Sequence, residues 1–280
     1  MAFQKNDLWR FFFAWTWAGG LKRSGSVKTM IKLTLVMALL LGLAAPALAH
    51  FGMVIPDKNI MERPGELGIE FRFWHPMENS GMVLAKPKEA GVVMGGQKTD
   101  LLPSLKQMKQ GKSTWWKGSY QVRRPGDYIF YMEPQPYWEP AEDCFIIHYT
   151  KTIVDALNAE EGWDQPLGTK IEIIPLTRPY GLWAGNSFTG KVLYKGKPLA
   201  DAEVEVEFYN STGMMEVPSP AYLAQVLRTD ANGVFTFALP FGGWWGFAAL
   251  TTDDVKMKKD GKPKDVEVGG VLWIYLQPVR

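Results

Sequence analysis

Short runs in which apolar and polar residues alternate make up much of this chain after residue 68. Clear examples are Ile69 to His75, Trp116 to Val122, Asp127 to Met132 and Phe145 to Thr150. Successive side chains on a strand point to opposite faces, so a period of two places the apolar residues of each run on one face of a sheet. Glycine, proline, asparagine and aspartate separate the runs and predict turns. The pattern therefore predicts an all-β fold.

The alternating runs fall into two series, joined by a linker that we place between Leu176 and Gly185. In the second series the turn signals recur at roughly 8–12 residues over about 95 residues, which is typical of a small sandwich of immunoglobulin or prealbumin type. We therefore predict two β-sandwich-like domains, an N-terminal one at residues 50–178 and a C-terminal one at residues 179–280.

One short helix is expected within the N-terminal domain, from Lys151 to Glu161. In a helix of this span Ile153, Val154 and Leu157 would share one face, and a glycine follows directly after the last residue. The rest of the domain is predicted to be strands and turns.

The first 49 residues have the features of a leader. An apolar run from Leu33 to Leu43 precedes Ala47-Leu48-Ala49, a small-x-small signature of signal-peptidase cleavage. Met30 would itself open an ordinary signal peptide, so we interpret residues 1–29 as an extension ahead of the true start. The alternative is an uncleaved anchor helix. With cleavage, the protein is exported to the periplasm and His50 becomes its N-terminus.

Charge and cysteine content exclude several function classes. Removing residues 1–49 takes six basic residues and one acidic residue from the 31 and 29 of the whole chain, so the remainder carries a formal charge of −3. No basic surplus indicates nucleic acid binding. Cys144 is the single cysteine, so no internal disulfide is expected, and we interpret it as a buried small apolar residue. Since no nucleophile–base pair or phosphate loop stands out, we do not expect an enzyme.

The three histidines of the chain indicate a metal site, because all of them lie in the N-terminal domain and His50 follows the cleavage signature. An N-terminal histidine offers its α-amine and its ring Nδ1 to one metal ion. Cys144 would lie about 13 Å from His148 along a strand, which removes the sulfur from the donor set. We predict metal ligands from His50, His75 and His148, with Glu78 as an oxygen ligand. Nitrogen donors of this kind suit Ni(II), Co(II) or Cu(II).

Several short motifs, in this order along the chain, carry a resemblance to a known family. They are Ala49-His50, Phe73-Trp74-His75-Pro76-Met77-Glu78, Met82 to Val93, Tyr137-Trp138-Glu139-Pro140, His148-Tyr149-Thr150-Lys151, Glu172-Ile173-Ile174-Pro175, Gly190 to Pro198 and Gly243-Trp244-Trp245-Gly246. Together they resemble DUF4198, a bacterial periplasmic family of formerly unknown function. The resemblance covers nearly all of the chain after the leader.

The resemblance implies an accessory metal-binding component of nickel or cobalt uptake by energy-coupling-factor transporters. Such a protein would capture Ni(II) or Co(II) outside the inner membrane and deliver it to the inner-membrane transporter components. The residues carried over are His50, His75 and His148. Contact with the membrane would be made only through the partner or through an uncleaved leader.

Two other functions fit the same residues. An N-terminal histidine with a second imidazole is also the copper-binding brace of polysaccharide monooxygenases, and a related protein could store or deliver Cu(II). A metal-free adhesion or scaffold module of two sandwiches is the third possibility. That module would bind no metal in stoichiometric amount, and its melting temperature would not respond to Ni(II).

Overall fold

Residues 50–279 are described by a computed structural model, and strands dominate them. The predicted leader, residues 1–49, with its cleavage signal and its possible anchor helix, lies outside the described residues. Within residues 50–279 no helix is long and apolar enough to cross a membrane. The helical segments of this part are two single 3₁₀ turns, at Leu102–Ser104 and Pro220–Tyr222. The prediction of an all-β fold is confirmed.

The described residues form 22 strands. The first eleven are β1 (Phe51–Pro56), β2 (Ile60–Met61), β3 (Gly65–His75), β4 (Ser80–Gly81), β5 (Glu89–Met94), β6 (Gln97–Asp100), β7 (Lys106–Gln110), β8 (Ser113–Val122), β9 (Gly126–Glu133), β10 (Tyr137–Glu139) and β11 (Cys144–Ala156). The others are β12 (Ile171–Pro175), β13 (Leu182–Trp183), β14 (Ser187–Tyr194), β15 (Lys197–Pro198), β16 (Glu203–Phe208), β17 (Gln225–Arg228), β18 (Val234–Ala238), β19 (Gly243–Thr252), β20 (Met257–Lys259), β21 (Lys262–Lys264) and β22 (Val266–Gln277).

The strands of this region make three sheets and one separate hairpin, β20–β21. The largest sheet has eleven strands, eight of them in the order β17-β16-β19-β22-β11-β9-β5-β6, with β2 and β10 on β11 and β13 on β22. A five-stranded sheet has the order β1-β3-β8-β7 with β4 on β3, and a four-stranded sheet joins β12, β14, β15 and β18.

The middle strands of the eleven-stranded sheet are buried on both faces, which makes this sheet the central layer. On β11, Ile153 belongs to an apolar cluster that includes Phe188 of the four-stranded sheet. Its neighbour Val154 points the other way, into a cluster with Phe71 of the five-stranded sheet. Two cores therefore lie on opposite sides of one sheet.

The boundary predicted between residues 178 and 179 is crossed by this central sheet. Strand β11 pairs in parallel with β22 over the run from Phe145 to Thr152, opposite the run from Val266 to Trp273. The strands of the two predicted domains thus share one hydrogen-bonded sheet, and the described residues cluster as one unit. The consequence for the site is that β22 can contribute side chains beside those of β11.

The predicted helix from Lys151 to Glu161 is wrong, because strand β11 continues to Ala156. Each residue from Phe145 to Ala156 except Ile147 is buried. A strand covered on both faces has apolar residues at consecutive positions and loses its alternation. Ile153 and Val154 are also β-branched, which favours strand over helix. The spacing that indicated a helical face arises from a strand buried on both sides.

Candidate metal centre

His50 and His75 meet at the end of the β1–β3 pair. Phe51 of β1 lies opposite Trp74 of β3, so the next residue on each strand, His50 and His75, continues the same antiparallel register. Their ring centroids are 4.6 Å apart. Residues facing each other across strands are the closest side-chain neighbours that a sheet offers. The pairing of β1 with β3 therefore brings two of the three predicted ligands together.

His148 belongs to the same group of rings. Phe73, two residues before His75, stacks on His50 at 5.7 Å and meets His148 edge-on at 5.7 Å, both measured between ring centroids. Tyr137 of β10 closes the group, with its ring 6.2 Å from His50. His50 and His148 thus contact the same phenylalanine ring, and His75 joins the group through its contact with His50.

Glu139 holds the ring of His50 from its outer side. The Oε2 atom of this carboxylate is 3.0 Å from Nε2 of His50, and both side chains are 11% exposed. The other oxygen of Glu139 accepts a hydrogen bond from the backbone N–H of Ala141 at 2.9 Å. A carboxylate only accepts hydrogen bonds, so the neutral His50 ring carries its proton on Nε2. In that tautomer Nδ1, the ring nitrogen nearer the residue's own backbone nitrogen, is unprotonated and carries a lone pair.

The His50 ring stays neutral over the physiological range of pH. Burial, together with the neighbouring His75, lowers the pKa of His50 to about 4, although Glu139 acts in the opposite direction. A neutral imidazole is the form that binds metal ions. At neutral pH the ring nitrogen therefore has no proton to lose before it can ligate.

His148 is engaged differently. It is 1% exposed, and its Nδ1 accepts a hydrogen bond from the backbone N–H of Gly52 at 3.2 Å. Its Nε2 has no hydrogen-bond partner and lies 3.7 Å from Oε1 of Glu267 on β22. With Nδ1 as the acceptor, the neutral ring carries its proton on Nε2. Ligation through Nε2 therefore requires the ring to release the Gly52 N–H.

Two glycines leave the space that His148 fills. A Cβ atom at Gly52 would lie 2.9 Å from Cβ of His148 and even closer to the Thr150 hydroxyl. A Cβ atom at Gly269, which pairs with His148, would lie 2.5 Å from Cδ2 of the ring. Larger residues at either position would displace the ring or the strand. His148 thus fastens β1, which carries His50, to the central sheet.

Substitution of His148 by asparagine separates this fastening role from a role as metal ligand. The asparagine side chain offers an oxygen near the position of Nδ1, so we expect the melting temperature to stay close to that of the native protein. Leucine at this position leaves the buried Gly52 N–H without an acceptor, which should cost about 1–3 kcal/mol of unfolding free energy. We expect the Ni(II) affinity of the asparagine variant to stay within about threefold of the native value. A tenfold change would correspond to about 1.4 kcal/mol of binding free energy.

The same variant decides whether His148 is a ligand. Calorimetric titration with Ni(II) and thermal denaturation are measured on one preparation. A loss of affinity well above tenfold at an unchanged melting temperature would establish His148 as a third imidazole ligand. His148 as a ligand otherwise stays a prediction from the sequence.

Carboxylates crowd around the histidines. Besides Glu139, the side chains of Glu142 and Glu205 lie near Glu267; Glu205 and Glu267 are partly buried, and Glu142 is exposed. Burial and the charges of Glu267 and Glu203 raise the pKa of Glu205 to about 7. Closely spaced carboxylates raise the local concentration of cations through their summed field. The entrance to the histidine cluster is therefore suited to attracting a cation.

Cys144 lies on the same unbroken strand as His148, four residues away. It is half-buried, and its Sγ is 3.9 Å from Oε2 of Glu142. Burial and the nearby carboxylates, Glu267 foremost, raise the pKa of the Cys144 thiol to about 11. The group thus stays a thiol at neutral pH, whereas metal ligation needs the thiolate.

Glu78 is exposed on the turn that follows His75, and its charge acts on Glu207. The carboxylate that contacts the histidine cluster is Glu139, which was not among the site residues predicted from the sequence. The motif Tyr137-Trp138-Glu139-Pro140, in which an acidic residue follows two aromatic residues, is the sequence feature that could have indicated this role. Proximity to His75 along the chain was a poorer guide, since the turn carries Glu78 into solvent.

Glu207 and Asn210 hold the turn after His75 in place. Met77 donates its backbone N–H to Oε1 of Glu207 at 2.7 Å, and Asn210 Nδ2 donates to the Met77 carbonyl at 3.0 Å. Glu207 is 2% exposed, and its Oε2 has no hydrogen-bond partner. Burial raises the pKa of Glu207 to about 9 from its ordinary value of 4.5. The carboxyl group is therefore protonated at neutral pH in the folded protein.

Replacing Glu207 by glutamine should stabilise the protein in a pH-dependent way. The pKa of Glu207 is higher in the folded than in the unfolded protein. Glu207 therefore does not lower the free energy of unfolding below pH 4.5, and it lowers that free energy increasingly as pH rises toward 9. Glutamine keeps an acceptor for Met77 without that cost. At pH 7 we expect a gain of about 3 kcal/mol, and no gain at about pH 4.

Urea denaturation at about pH 4, 7 and 8.5 measures this effect. Glu203→Gln, on the same strand but paired with Arg228 at 3.3 Å, is the matched control and should change little. An equal response of both variants at every pH would refute the buried, protonated state of Glu207.

Among residues 50–279, no three histidine, cysteine, aspartate or glutamate side chains converge on one point in a way that would hold a metal ion. The set predicted from the sequence joins the amine of His50 to the rings of His50, His75 and His148, so it takes one donor from the main chain. A site without His148 needs only two side chains. His50 Nδ1 and His75 supply those two. The residues thus fit a metal that is also held by the amine of His50.

Comparisons with known proteins identify a family. The family described as "Domain of unknown function (DUF4198)" matches residues 47–253. A search of curated proteins finds no match.

Among solved structures, the Yersinia pseudotuberculosis adhesin InvE is 11% identical over 78% of this chain and 58% of that chain, with a TM-score of 0.21. Latent PorU from Porphyromonas gingivalis is 10% identical over 81% of this chain, with a TM-score of 0.24, and only 20% of that chain is covered. Two fibronectin type III domains of chicken tenascin are 13% identical over 80% of this chain and 99% of that segment, with a TM-score of 0.20. TM-scores this low do not support a shared function.

Proposed function

The chain belongs to the DUF4198 family, and we propose that it is an exported, non-enzymatic protein that captures Ni(II) or Co(II) and supports its uptake by an inner-membrane transporter. The metal would be held by the α-amine and Nδ1 of His50 together with the imidazole of His75. The amine exists only after cleavage following Ala49, so export and metal binding are coupled in this proposal.

The contact between Glu139 and His50 carries the proposal. Histidines that bind metals usually donate their other ring N–H to a carboxylate, which fixes the tautomer and raises the basicity of the ligating nitrogen. Glu139 is placed at Nε2 of His50 in this manner. The nitrogen left free is Nδ1, the one that forms a six-membered chelate ring with the amine of the same residue. A structural ion pair alone would not require the proton on one particular nitrogen.

His75 supplies the second imidazole because the β1–β3 register places it beside His50. Amine and imidazole nitrogens suit Ni(II), Co(II) and Cu(II), whereas Mg(II) and Ca(II) prefer oxygen. The nearby Glu142, Glu205 and Glu267 would attract the cation toward these nitrogens. The bound ion is cargo in this proposal, and no chemical step on a substrate is assigned to it.

Copper binding is the second candidate, since Cu(II) exceeds Ni(II) in affinity at most nitrogen sites. Affinity alone therefore does not identify the physiological metal. The intact mass and the metal content of protein isolated from the periplasm answer this question directly. A mass that corresponds to a chain starting at His50, with one nickel or cobalt, supports the proposal. Copper in that preparation would favour copper delivery, and a chain without metal would favour a scaffold.

Replacing Glu139 by glutamine should lower the affinity for Ni(II) by roughly 10–100-fold, the usual cost of losing the partner of a ligating histidine. The glutamine side chain can keep its oxygen on the Ala141 N–H, which turns its NH₂ group toward His50 Nε2. That nitrogen must then accept, so the proton moves to Nδ1 and blocks the chelate.

Calorimetric titration of the chain starting at His50 measures the change. Glu133→Gln is the matched control, because that carboxylate is engaged by Lys88 at 2.7 Å and touches no histidine in the described contacts. Equal Ni(II) affinity of the Glu139 variant and the native protein would contradict the assigned role of Glu139.

A further inference from the structure

A second cavity, of about 480 Å³, lies away from the histidine cluster. Its walls come from the end of β5, the start of β9 and the loop after β11, and they include Met94, Asp127, Ile129, Ala159 and Gln165. Pockets for small organic ligands usually measure about 300–1,000 Å³ and combine apolar walls with a few polar groups. This cavity has that size and composition, and the metal proposal makes no use of it.

Asp127 is the one strongly buried charged residue in the wall of this cavity, at 3% exposure. Its Oδ2 accepts a hydrogen bond from the hydroxyl of Tyr180 at 3.0 Å, while its Oδ1 is buried without a hydrogen-bond partner. The backbone N–H of Trp163 also approaches this carboxylate and favours its ionised form. A buried acceptor without a hydrogen bond costs stability unless a ligand or ordered water satisfies it.

Asp155 shows that the missing partner is specific to Asp127. The two aspartates lie directly opposite each other on β11 and β9. Asp155 is also 3% exposed, but its Oδ1 accepts the backbone N–H groups of Ala159 and Glu160 at 3.2 and 3.4 Å. The loop therefore satisfies an oxygen of Asp155 through two backbone donors, whereas Oδ1 of Asp127 has no hydrogen bond.

The local charge favours a cationic ligand. Asp127, Asp155 and Glu161 are all acidic, and the nearby Arg178 is paired with Glu160 at 2.7 Å. Burial and the charge of Asp155 raise the pKa of Asp127 to about 6, against the hydrogen bond from Tyr180. Asp127 is thus ionised at neutral pH. A donor that also carries positive charge would relieve both its missing hydrogen bond and its repulsion from Asp155.

A divalent metal ion fits the cavity less well. Calcium takes about six to eight oxygen ligands, and no three acidic or histidine side chains converge on a metal position within residues 50–279. The apolar wall formed by Met94, Ile129 and Ala159 offers contact to hydrocarbon. We propose that this cavity binds a small organic ammonium ion, with its N–H donated to Oδ1 of Asp127 and its hydrocarbon part against the apolar wall.

Butylammonium tests the proposal, with butan-1-ol as a neutral ligand of similar shape. Amide chemical shifts of Gly95, Gly126 and Gly162, which line the cavity, are followed by NMR as each ligand is added to the purified protein. We expect saturable shifts with butylammonium and none with butanol. Asp127→Asn presents a donor in place of the free oxygen while keeping an acceptor for Tyr180, so butylammonium affinity should fall at least about tenfold.

Two further variants keep the test decisive. Asp164→Asn removes an exposed charge of the same loop and should leave the affinity unchanged. Ala159→Phe fills the cavity without altering Asp127 and should abolish the shifts, so a poorly folded Asp127 variant would not leave the question open. Absence of saturable shifts, equal binding of butanol, or undiminished binding by Asp127→Asn would each overturn the proposal.

Discussion

Replacing Glu172 by alanine should lower the free energy of unfolding by about 3–5 kcal/mol, which is the usual effect of removing one partner of a buried ion pair. Lys151 of β11 places its Nζ 3.0 Å from Oε2 of Glu172 on β12, and the two side chains are 4% and 5% exposed. Burial lowers the pKa of Lys151, and Glu172 opposes that shift. Without Glu172, the ammonium group would be buried and uncompensated.

Glu172 also orders the loop before its own strand, because the backbone N–H groups of Leu167 and Gly168 each donate to it at 3.0 Å. The alanine variant loses these hydrogen bonds together with the ion pair. Lys151 and Glu172 both stand in motifs by which the sequence resembles its family, and the structure places the two motifs in contact. Their pairing joins the central sheet to the four-stranded sheet.

Urea denaturation followed by tryptophan fluorescence measures the loss. Glu133→Ala, whose partner Lys88 is exposed, is the matched control and should leave stability unchanged within error. The double variant Lys151→Met, Glu172→Met should recover the part of the loss that comes from the uncompensated ammonium group, since a buried ion pair contributes little beyond an apolar pair of similar size. The hydrogen bonds from Leu167 and Gly168 stay lost in both variants. A change in Glu172→Ala no larger than that of the control would contradict the assigned burial.

The strand pattern could be predicted where one face of a strand is exposed. Trp116 to Val122, predicted from alternation, lies within β8, with Gly118 and Val122 buried and Lys117 and Ser119 exposed. On β11 the strand was predicted correctly from Phe145 to Thr150, but the prediction failed from Lys151 to Ala156, where both faces are buried and alternation disappears. Alternation in the sequence arises when one face of a strand is buried and the other is exposed. It therefore does not identify a strand whose two faces are both buried.

Pairings between distant strands could not be predicted. The neighbours β11 and β22 are more than 100 residues apart, and their parallel register depends on packing along the whole sheet. This pairing brings Glu267 to His148 and places Gly269 against its ring. The three histidines could be named from the chain, but the groups that fix their protons, Glu139 and Gly52, follow only from the fold.

Blocking the N-terminal amine of His50 should abolish tight binding of Ni(II). A chain that starts at His50 offers the amine and Nδ1 as a chelate, with His75 beside them. An added Met-Gly turns the amine into an amide, which is not a ligand of comparable strength at neutral pH. We expect the affinity to fall by about 1,000-fold or more, equivalent to about 4 kcal/mol.

The extended chain is a close control, because it retains the side chains of His50, His75 and His148 and the contact with Glu139. Thermal denaturation provides a second readout, since Ni(II) at about 1,000 times its dissociation constant should stabilise the chain starting at His50 by about 4 kcal/mol. The extended chain should show the same melting temperature without metal and little response to added metal.

Native mass spectrometry of these two chains, each mixed with an equal amount of Ni(II) at neutral pH, tests the central claim most directly. A chelate that includes the amine of His50 predicts one nickel ion on the chain starting at His50 and none retained on the chain extended by Met-Gly. Equal nickel loading of both chains, or none on either, would contradict it.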